Sequence, residues 1–282
     1  MERPKVAWIT DSTCSLSKEF IAENNIYIVP LYVVINGESY KETVEMTEEE
    51  IYNRMENEEG TFQTSQPSVG DFLALYDMLK EEYDYGIAIH ASSKLSGTYN
   101  TSVMAAEMAG FKLYSVDSLT GSYPLSFLIK KGLELYKQGV PAESIVEQLQ
   151  ALRGNERLYL IPASLDQLHK SGRASGSQKL LASLFNIKPI LAIEDGKAII
   201  KDKVRSQKRA LNWVNDRLKE DNEAHIIRKV AILHANNYEK AKEWEEYIQA
   251  EFPGLETEIM MLITVAGVHT GVQTVGLAWV CE

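Results

Sequence analysis

The sequence predicts an α/β protein of two domains. Residues 1–152 read as a mostly parallel α/β sandwich, and residues 153–282 as a mixed or antiparallel sheet with helices. Three observations carry this reading. Apolar strand-like runs alternate with helical patterns through the first half, the pattern of a parallel sheet covered on both faces. Hairpin turns and adjacent strands dominate the second half, which suits a sheet with helices on one side. The change falls near residues 150–156, and 282 residues at 45% apolar content leave room for two modest cores.

Lys5 to Ile9 is a short apolar strand that runs into the polar turn Thr10–Cys14, and Leu16 to Glu23 follows as a helix. Ile26 to Ile35 has strand character throughout, and Asn36-Gly37 turns it back onto Glu38 to Lys41. Thr47 with Glu50 forms a capping box that opens a helix from Glu48 to Met55. Thr61 to Ser68 shows neither period and reads as a loop, with Ser68 capping a helix from Val69 to Leu79. Tyr85 to Ile89 is a buried strand, His90 to Thr98 a Ser/Gly-rich turn, and Tyr99 to Ala109 a helix. Lys112 to Val116 is the next strand. A long helix then runs to Gln138, where Gly139 fits the C-terminal cap and Pro141 opens a further helix to about Leu152.

In the second half Arg157 to Ile161 is a strand, Ser164 to His169 a short helix, Lys170 to Ser177 a Gly/Ser loop and Lys179 to Phe185 helical. Ile187 to Ile193 and Ala198 to Val204 pair across a hairpin turn at Glu194–Lys197. Arg205 to Leu218 is a helix, Ile226 to His234 a strand and Tyr238 to Phe252 an amphipathic helix. Glu256 to Thr264 and Val275 to Val280 are strands around a loop that carries His269 between Gly267 and Gly271.

A formal net charge of -11 excludes general nucleic-acid affinity and standing attachment to an anionic membrane. Cys14 and Cys281 make no disulfide framework, the charged lead before Lys5 is unlike a signal peptide, and no apolar run approaches a bilayer span. The expectation is a cytoplasmic protein. The five histidines lack H-x-x-x-H or His/Cys ligand spacing, so no metal is expected.

Hydroxyl-rich segments recur after strands, at Thr10–Thr13, Thr61–Ser68, Ser92–Thr98 and Ser171–Ser177. In an α/β sheet such segments share one rim, where ligands bind. The stretch Ser92–Thr98, between a strand and a helix N-terminus, aims N–H groups and hydroxyls at one point and suits a small anion. For a single loop these residues are equally what turns contain. Catalytic patterns match incompletely. Ser15-Leu-Ser-Lys18 with Lys170-Ser-Gly172 lacks the S-D-N of serine acyl-enzymes, and Asp11-Ser-Thr13 lacks the second Asp of an aspartyl phosphatase loop. Leu95-Ser96-Gly97 lacks the first Gly of a nucleophile elbow. Arg205, within the basic stretch Lys201–Arg209, stands where a strand meets a helix and can reach a ligand at the rim. His90 and His234, at strand ends, read as core-edge residues, whereas His269 is a candidate for function. A binding module, a serine acyl hydrolase or transferase using Ser96, and a phosphate-binding regulatory module all remain open.

Thr10-Asp-Ser-Thr13, Thr64-Ser-Gln-Pro-Ser68, Ser92-Ser-Lys-Leu-Ser-Gly-Thr98, Val116-Asp-Ser118, Lys170-Ser-Gly-Arg173, Asn186-Ile-Lys-Pro-Ile190 and Val204-Arg205, in this order, resemble the DegV family. The resemblance implies a long-chain fatty acid such as palmitate, stearate or oleate bound between the two domains. The carboxylate would be presented to a separate ATP-binding fatty acid kinase protein, which makes the acyl-phosphate for phospholipid synthesis. It implies no catalysis by this chain, no cofactor beyond the bound fatty acid, no nucleic-acid partner, and room for transient membrane contact. Thr64 and Ser96 would hydrogen-bond the carboxylate, with Ser65, Ser93, Gly97 and Thr98 lining the same pocket and Arg205 and His269 nearby. The family's C-terminal loop commonly reads H-x-G-P-G-T, whereas here it is His269-Thr-Gly-Val-Gln-Thr274, and Ala174 stands where a larger aliphatic is commoner. Apolar lining for the tail is available from Leu180–Phe185, Ile187–Ile193 and Met260–Ile263.

Overall fold

A computed structural model describes residues 4–163, 167–168, 172–175 and 187–282. Its first layer is a parallel sheet in the order β2-β1-β6-β7, formed by β1 (Val6–Asp11), β2 (Ile26–Val29), β6 (Tyr85–His90) and β7 (Leu113–Asp117). Strand alternation sends Ala7, Ile9 and Ala88 to one face. There they meet Phe72 and Tyr76 of α3 (Val69–Leu79) and Ala105 and Ala106 of α4 (Thr98–Ala109). Trp8, Ile87 and Ile89 point the other way, against Leu125, Leu128 and Ile129 of α5 (Ser122–Lys137) and Ile145 and Leu149 of α6 (Ala142–Ala151). Burial on both faces is why these strands read as continuous apolar runs.

The expected single strand from Ile26 to Ile35 is two strands. Pro30 has no N–H for a ladder, and beyond it β3 (Tyr32–Ile35) joins a separate antiparallel sheet in the order β4-β3-β5. Its partners are β4 (Glu38–Lys41) and β5 (Phe62–Ser65). The last lies within the segment expected to be a loop, because its four residues are too few and too polar to show a period. Helix α1 (Lys18–Glu23) is capped by Ser17, and α2 (Glu48–Asn57) carries the Thr47–Glu50 capping box.

A seven-stranded sheet in the order β13-β12-β14-β8-β10-β11-β9 holds the remainder. Its strands are β8 (Glu156–Ile161), β9 (Ala174–Ser175), β10 (Lys188–Glu194), β11 (Lys197–Val204), β12 (Lys229–His234), β13 (Glu256–Met261) and β14 (Val275–Val280). Two pairs, β12 with β13 and β11 with β9, are parallel and the others antiparallel, as a mixed sheet requires. One face is covered by α7 (Gln207–Ala224) and α8 (Tyr238–Glu251) through Ala210, Val214, Leu218, Trp244 and Ile248. The opposite face, carrying Leu158, Leu160, Leu191, Ala231 and Ala278, packs against Leu31, Tyr52 and Tyr123 of the first half. The Tyr52 hydroxyl donates to the Leu262 carbonyl at 2.7 Å, which ties the two halves together.

Three further expectations change. The strand expected to reach Thr264 ends at Met261, and the loop expected around His269 is a short helix, α9 (Thr264–Thr270). Val268 buries against the antiparallel sheet and Ile51 of α2, and Val265 joins the core that holds Tyr52, so tertiary packing outweighs the two glycines that suggested a loop. Ile226 to Arg228 precede their strand rather than join it. Of the expected helix Ser164–His169 only Gln167 and Leu168 are described, and they are helical; its other residues, the expected helix Lys179–Phe185 and most of the loop Lys170–Ser177 lie outside the described residues. Among the described residues no helix is long and apolar enough to cross a membrane.

Candidate functional site

A cavity of about 510 Å³ lies between the first half of the chain and the uncovered face of the seven-stranded sheet, a size within the range of small-molecule sites. Its walls differ in chemistry. Thr13, Thr64, Ser65, Gln66, Ser93, Ser96, Gly97 and Thr120 come from segments that follow β1, β5, β6 and β7 or end them, and they bring hydroxyl and amide groups. Leu158, Leu160, Leu191, Ile193, Ile263 and Val265 come from the second half and are aliphatic. The parallel sheet therefore places its strand ends at the polar wall, where α/β sheets bind ligands.

Behind the polar wall the Asp11 carboxylate acts as a fixed anchor. It accepts from the Thr13 N–H and hydroxyl at 3.0 and 2.5 Å, and from the Ala91 N–H at 2.9 Å. His90 Nδ1 lies 3.0 Å from Oδ2, the oxygen that also accepts from Ala91, while Thr13 holds Oδ1. Burial alone would raise the Asp11 pKa, but the bonds from His90, Thr13 and Ala91 outweigh it and hold the carboxyl below its ordinary range. His90 Nε2 continues to Ser102 Oγ at 2.9 Å, and Tyr76 closes the chain. Asp, His and Ser stand here in triad order. All three are fully buried, so the set braces the β6–α4 connection.

In the Ser92–Thr98 turn the backbone is largely committed to the turn itself. The N–H groups of Leu95 and Ser96 donate to the Ser92 carbonyl, and those of Ser93 and Lys94 to Asp117 Oδ1 and Ser92 Oγ. Four amides of the expected cradle are thus committed, which leaves the cavity the turn's hydroxyls and the N–H of the lining residue Gly97. The Ser93 hydroxyl donates to Asp117 at 2.5 Å, so its proton is also committed. Ser96 Oγ lies 2.8 Å from Thr98 Oγ1. A Cβ at Gly97 would sit 1.9 Å from Gln66 Oε1, so a larger residue there would have to displace the Gln66 amide.

Six of the eight expected residues line the cavity together: Thr64, Ser65, Ser93, Ser96, Gly97 and His269. Thr64 Oγ1 and His269 Nε2 are 2.9 Å apart. Burial, followed by the nearby Arg173 guanidinium, lowers the His269 pKa to about 4, so its imidazole is neutral near pH 7. Thr98 is buried and off the lining; it holds Ser96. Arg205 is exposed and also off the lining. Ala198 lines the cavity beside the hairpin turn, and at about 3.3 Å per residue β11 carries Arg205 roughly 20 Å further on. Of the apolar segments expected at the tail, Leu191 to Ile193 and Ile263 line the cavity, whereas Met260 and Met261 face a different one. Leu180–Phe185 lie outside the described residues.

The sequence reading singled out neither Gln66, whose amide donates to Thr101 at 2.6 Å, nor Arg173, although both stand within quoted motifs. It also missed a clasp across the cavity edge. The Ser92 hydroxyl donates to the Gly196 carbonyl at 2.7 Å and Lys94 Nζ to the Asp195 carbonyl at 2.6 Å. Only the fold brings those residues together.

Fold and site define a two-domain α/β protein with an amphipathic cavity between its domains. A family model described as "Uncharacterised protein, DegV family" matches residues 5–282. A DegV domain-containing protein of Staphylococcus aureus is 36% identical over 269 residues, covering 95% of this chain and 96% of its own length. The chain belongs to the DegV family. Among solved structures it is similar to DegV of Bacillus subtilis, a fatty acid binding protein, with a TM-score of 0.90, 31% identity and coverage of 99% and 100% of the two chains. It is also similar to a DegV family protein of Thermus thermophilus described for its fatty acid binding, with a TM-score of 0.89, 27% identity and coverage of 99% and 100%.

Proposed function

We propose that this protein binds one long-chain fatty acid in the interdomain cavity and presents its carboxylate to a separate ATP-dependent fatty acid kinase. The reading rests above all on the division of the cavity into a hydroxyl wall and an aliphatic wall, and similarity to fatty acid binding DegV structures supports it. The aliphatic wall takes the tail. Burial is worth about 0.8 kcal/mol per methylene, so a sixteen-carbon chain supplies on the order of ten kcal/mol and the tail dominates affinity. At the other end Thr64, Ser96 and His269 orient the carboxylate through neutral hydrogen bonds, which avoids the desolvation of a buried ion pair. Ser65, Ser93 and Gly97 shape that end, and Thr98 positions Ser96. In this reading the chain divides at residues 152 and 153, works in the cytoplasm without a cofactor of its own, and contacts membranes only in passing.

Binding is favoured over acyl transfer by Ser96 because the Ser96 hydroxyl pairs with Thr98, while the imidazole lining the cavity pairs with Thr64. A serine nucleophile needs a base within hydrogen-bond reach. The test is mass spectrometry of lipid extracted from the purified protein, alongside Thr64→Ala and Ser96→Ala. One fatty acid per wild-type chain and reduced content in both variants is the expected result. Full lipid content in both variants would overturn the headgroup assignment, and covalent labelling of Ser96 by a fluorophosphonate would favour acyl transfer.

A further inference from the structure

We propose that Asp221, His225 and Cys281 form a binding site for a divalent transition metal ion of the zinc type, on the helix-covered face of the seven-stranded sheet. This site is independent of the lipid cavity. The ligand atoms of the three residues all lie within 4.8 Å of one another. Asp221 and His225 are four residues apart where α7 ends, so both side chains leave the same face, and the His225 N–H donates to the Asp221 carbonyl at 2.8 Å. Cys281 follows β14 with its own N–H on the Asn155 carbonyl at 2.9 Å, and it is 4% exposed.

The carboxylate is already oriented for the role. Trp279 Nε1 donates to Asp221 Oδ2 at 2.9 Å, and Arg157 Nε approaches the same oxygen at 3.1 Å. Both of these contacts fall on Oδ2, and the Cys281 thiol also bonds to the carboxylate, a bond that a metal between the two groups would replace. Outer partners of this kind fix a ligand's direction and contribute roughly 10–100-fold to metal affinity. Metal–sulfur distances of about 2.3 Å and metal–nitrogen distances of about 2.0–2.1 Å space tetrahedral ligand atoms about 3.3–3.7 Å apart. The present separations, within 4.8 Å, must close to that range, and the exposed His225 side chain has room to rotate.

Thiolate, imidazole and carboxylate together select a borderline-soft ion such as Zn²⁺ or Co²⁺ over Mg²⁺ or Ca²⁺, which prefer an all-oxygen shell. As the sulfur–metal bond forms, the thiol proton leaves to solvent. Thiolate and carboxylate then offset the dication, and the Arg157 guanidinium beside Asp221 leaves the site with one net positive charge. Three protein ligands leave a fourth position for water on the solvent side, where His225 stands. The metal pins the end of α7 to the end of β14.

The experiment uses the full chain stripped with EDTA. Zn²⁺ is titrated against a chromophoric chelator, and Co²⁺ binding is followed by absorption. Expected are one Zn²⁺ per chain, a sulfur-to-cobalt charge-transfer band, and a rise in melting temperature with Zn²⁺. His225→Ala, at an exposed position, should weaken Zn²⁺ at least about tenfold, and Cys281→Ser should remove the charge-transfer band. Lipid content should not change in either variant. Absence of stoichiometric Zn²⁺, a cobalt spectrum without the sulfur band, or undiminished affinity in His225→Ala would each overturn the assignment.

Discussion

Thr64 Oγ1 and His269 Nε2 lie 2.9 Å apart, and through that contact β5 and α9, elements from the two ends of the chain, meet at one cavity. The imidazole is neutral, so it can donate to Thr64 and leave the threonine proton for a ligand carboxylate. His269→Ala should therefore lower fatty-acid retention by about 5–30-fold, the effect of a lost hydrogen bond worth about 1–2 kcal/mol. Competition with a fluorescent fatty acid would measure this. An unchanged dissociation constant would remove His269 from the headgroup end.

The depressed His269 pKa, about 4, sets a pH window. Between the ordinary histidine value near 6.5 and about 4 the unfolded chain binds the proton and the folded chain does not. Stability from this residue is complete above about pH 6.5 and is lost as pH falls towards 4. In an NMR titration the His269 ring signals should stay flat from pH 8 to about pH 5. A midpoint near 6.5 would mean that the ring is solvated and not sealed against Thr64.

Arg205 stands exposed at the junction of β11 and α7, away from the cavity lining. An arginine there suits a phosphate held by a docked partner better than a buried carboxylate. With the proposed kinase partner, Arg205→Ala should reduce acyl-phosphate formation at least about tenfold, roughly one charge-assisted hydrogen bond, and leave fatty-acid binding within twofold. Equal loss of both would place it at the lipid after all.

Gly196 has φ +77°, and a Cβ on it would meet Ser92 Oγ at 2.5 Å. Only glycine takes that backbone without cost while keeping the bond from Ser92 to its carbonyl. Gly196→Ala should cost about 1–3 kcal/mol through strain and overpacking, and it should speed exchange of bound lipid by loosening the clasp. Stopped-flow exchange with a labelled fatty acid measures the second effect. An unchanged rate would make the hairpin a passive neighbour of the cavity.

Much of this was legible in the sequence where physics is local. The capping box at Thr47, the cap at Ser68 and the buried runs Lys5–Ile9 and Tyr85–Ile89 follow from short-range chemistry, and the structure has them. The break at Pro30 was also written in the chain, but a continuous apolar run hid the change of sheet. His269 on a helix could not be read beside two glycines, because the packing that stabilises α9 comes from Ile51 and Val33, far away in sequence. The same limit applies to the site. Hydroxyl-rich segments announced a polar rim, but which protons are already committed, as in Ser93 to Asp117, depends on neighbours that only the fold supplies.

Glu42 follows β4 and is 1% exposed. Its carboxyl accepts from Ser12, and its N–H donates to the Leu31 carbonyl at 3.0 Å. Burial, reinforced by the nearby Glu48 and Asp11 carboxylates and only partly offset by the bond from Ser12, pushes its pKa up to about 7. A raised carboxyl pKa means that the folded chain keeps a proton the unfolded chain has released. Its contribution is present below the ordinary glutamate range and is lost as pH rises through 7. A shift of this size corresponds to on the order of 3 kcal/mol between the limits. Glu42→Gln keeps the shape and the acceptor but has no charge to bury, so it should unfold at higher urea than wild type at pH 8 and at nearly the same urea at pH 4.5. Equal effects at both pH values would show that the Glu42 charge is not what the folded state resists. A loss of stability at pH 8 would show that the ionised group is held favourably by its surroundings.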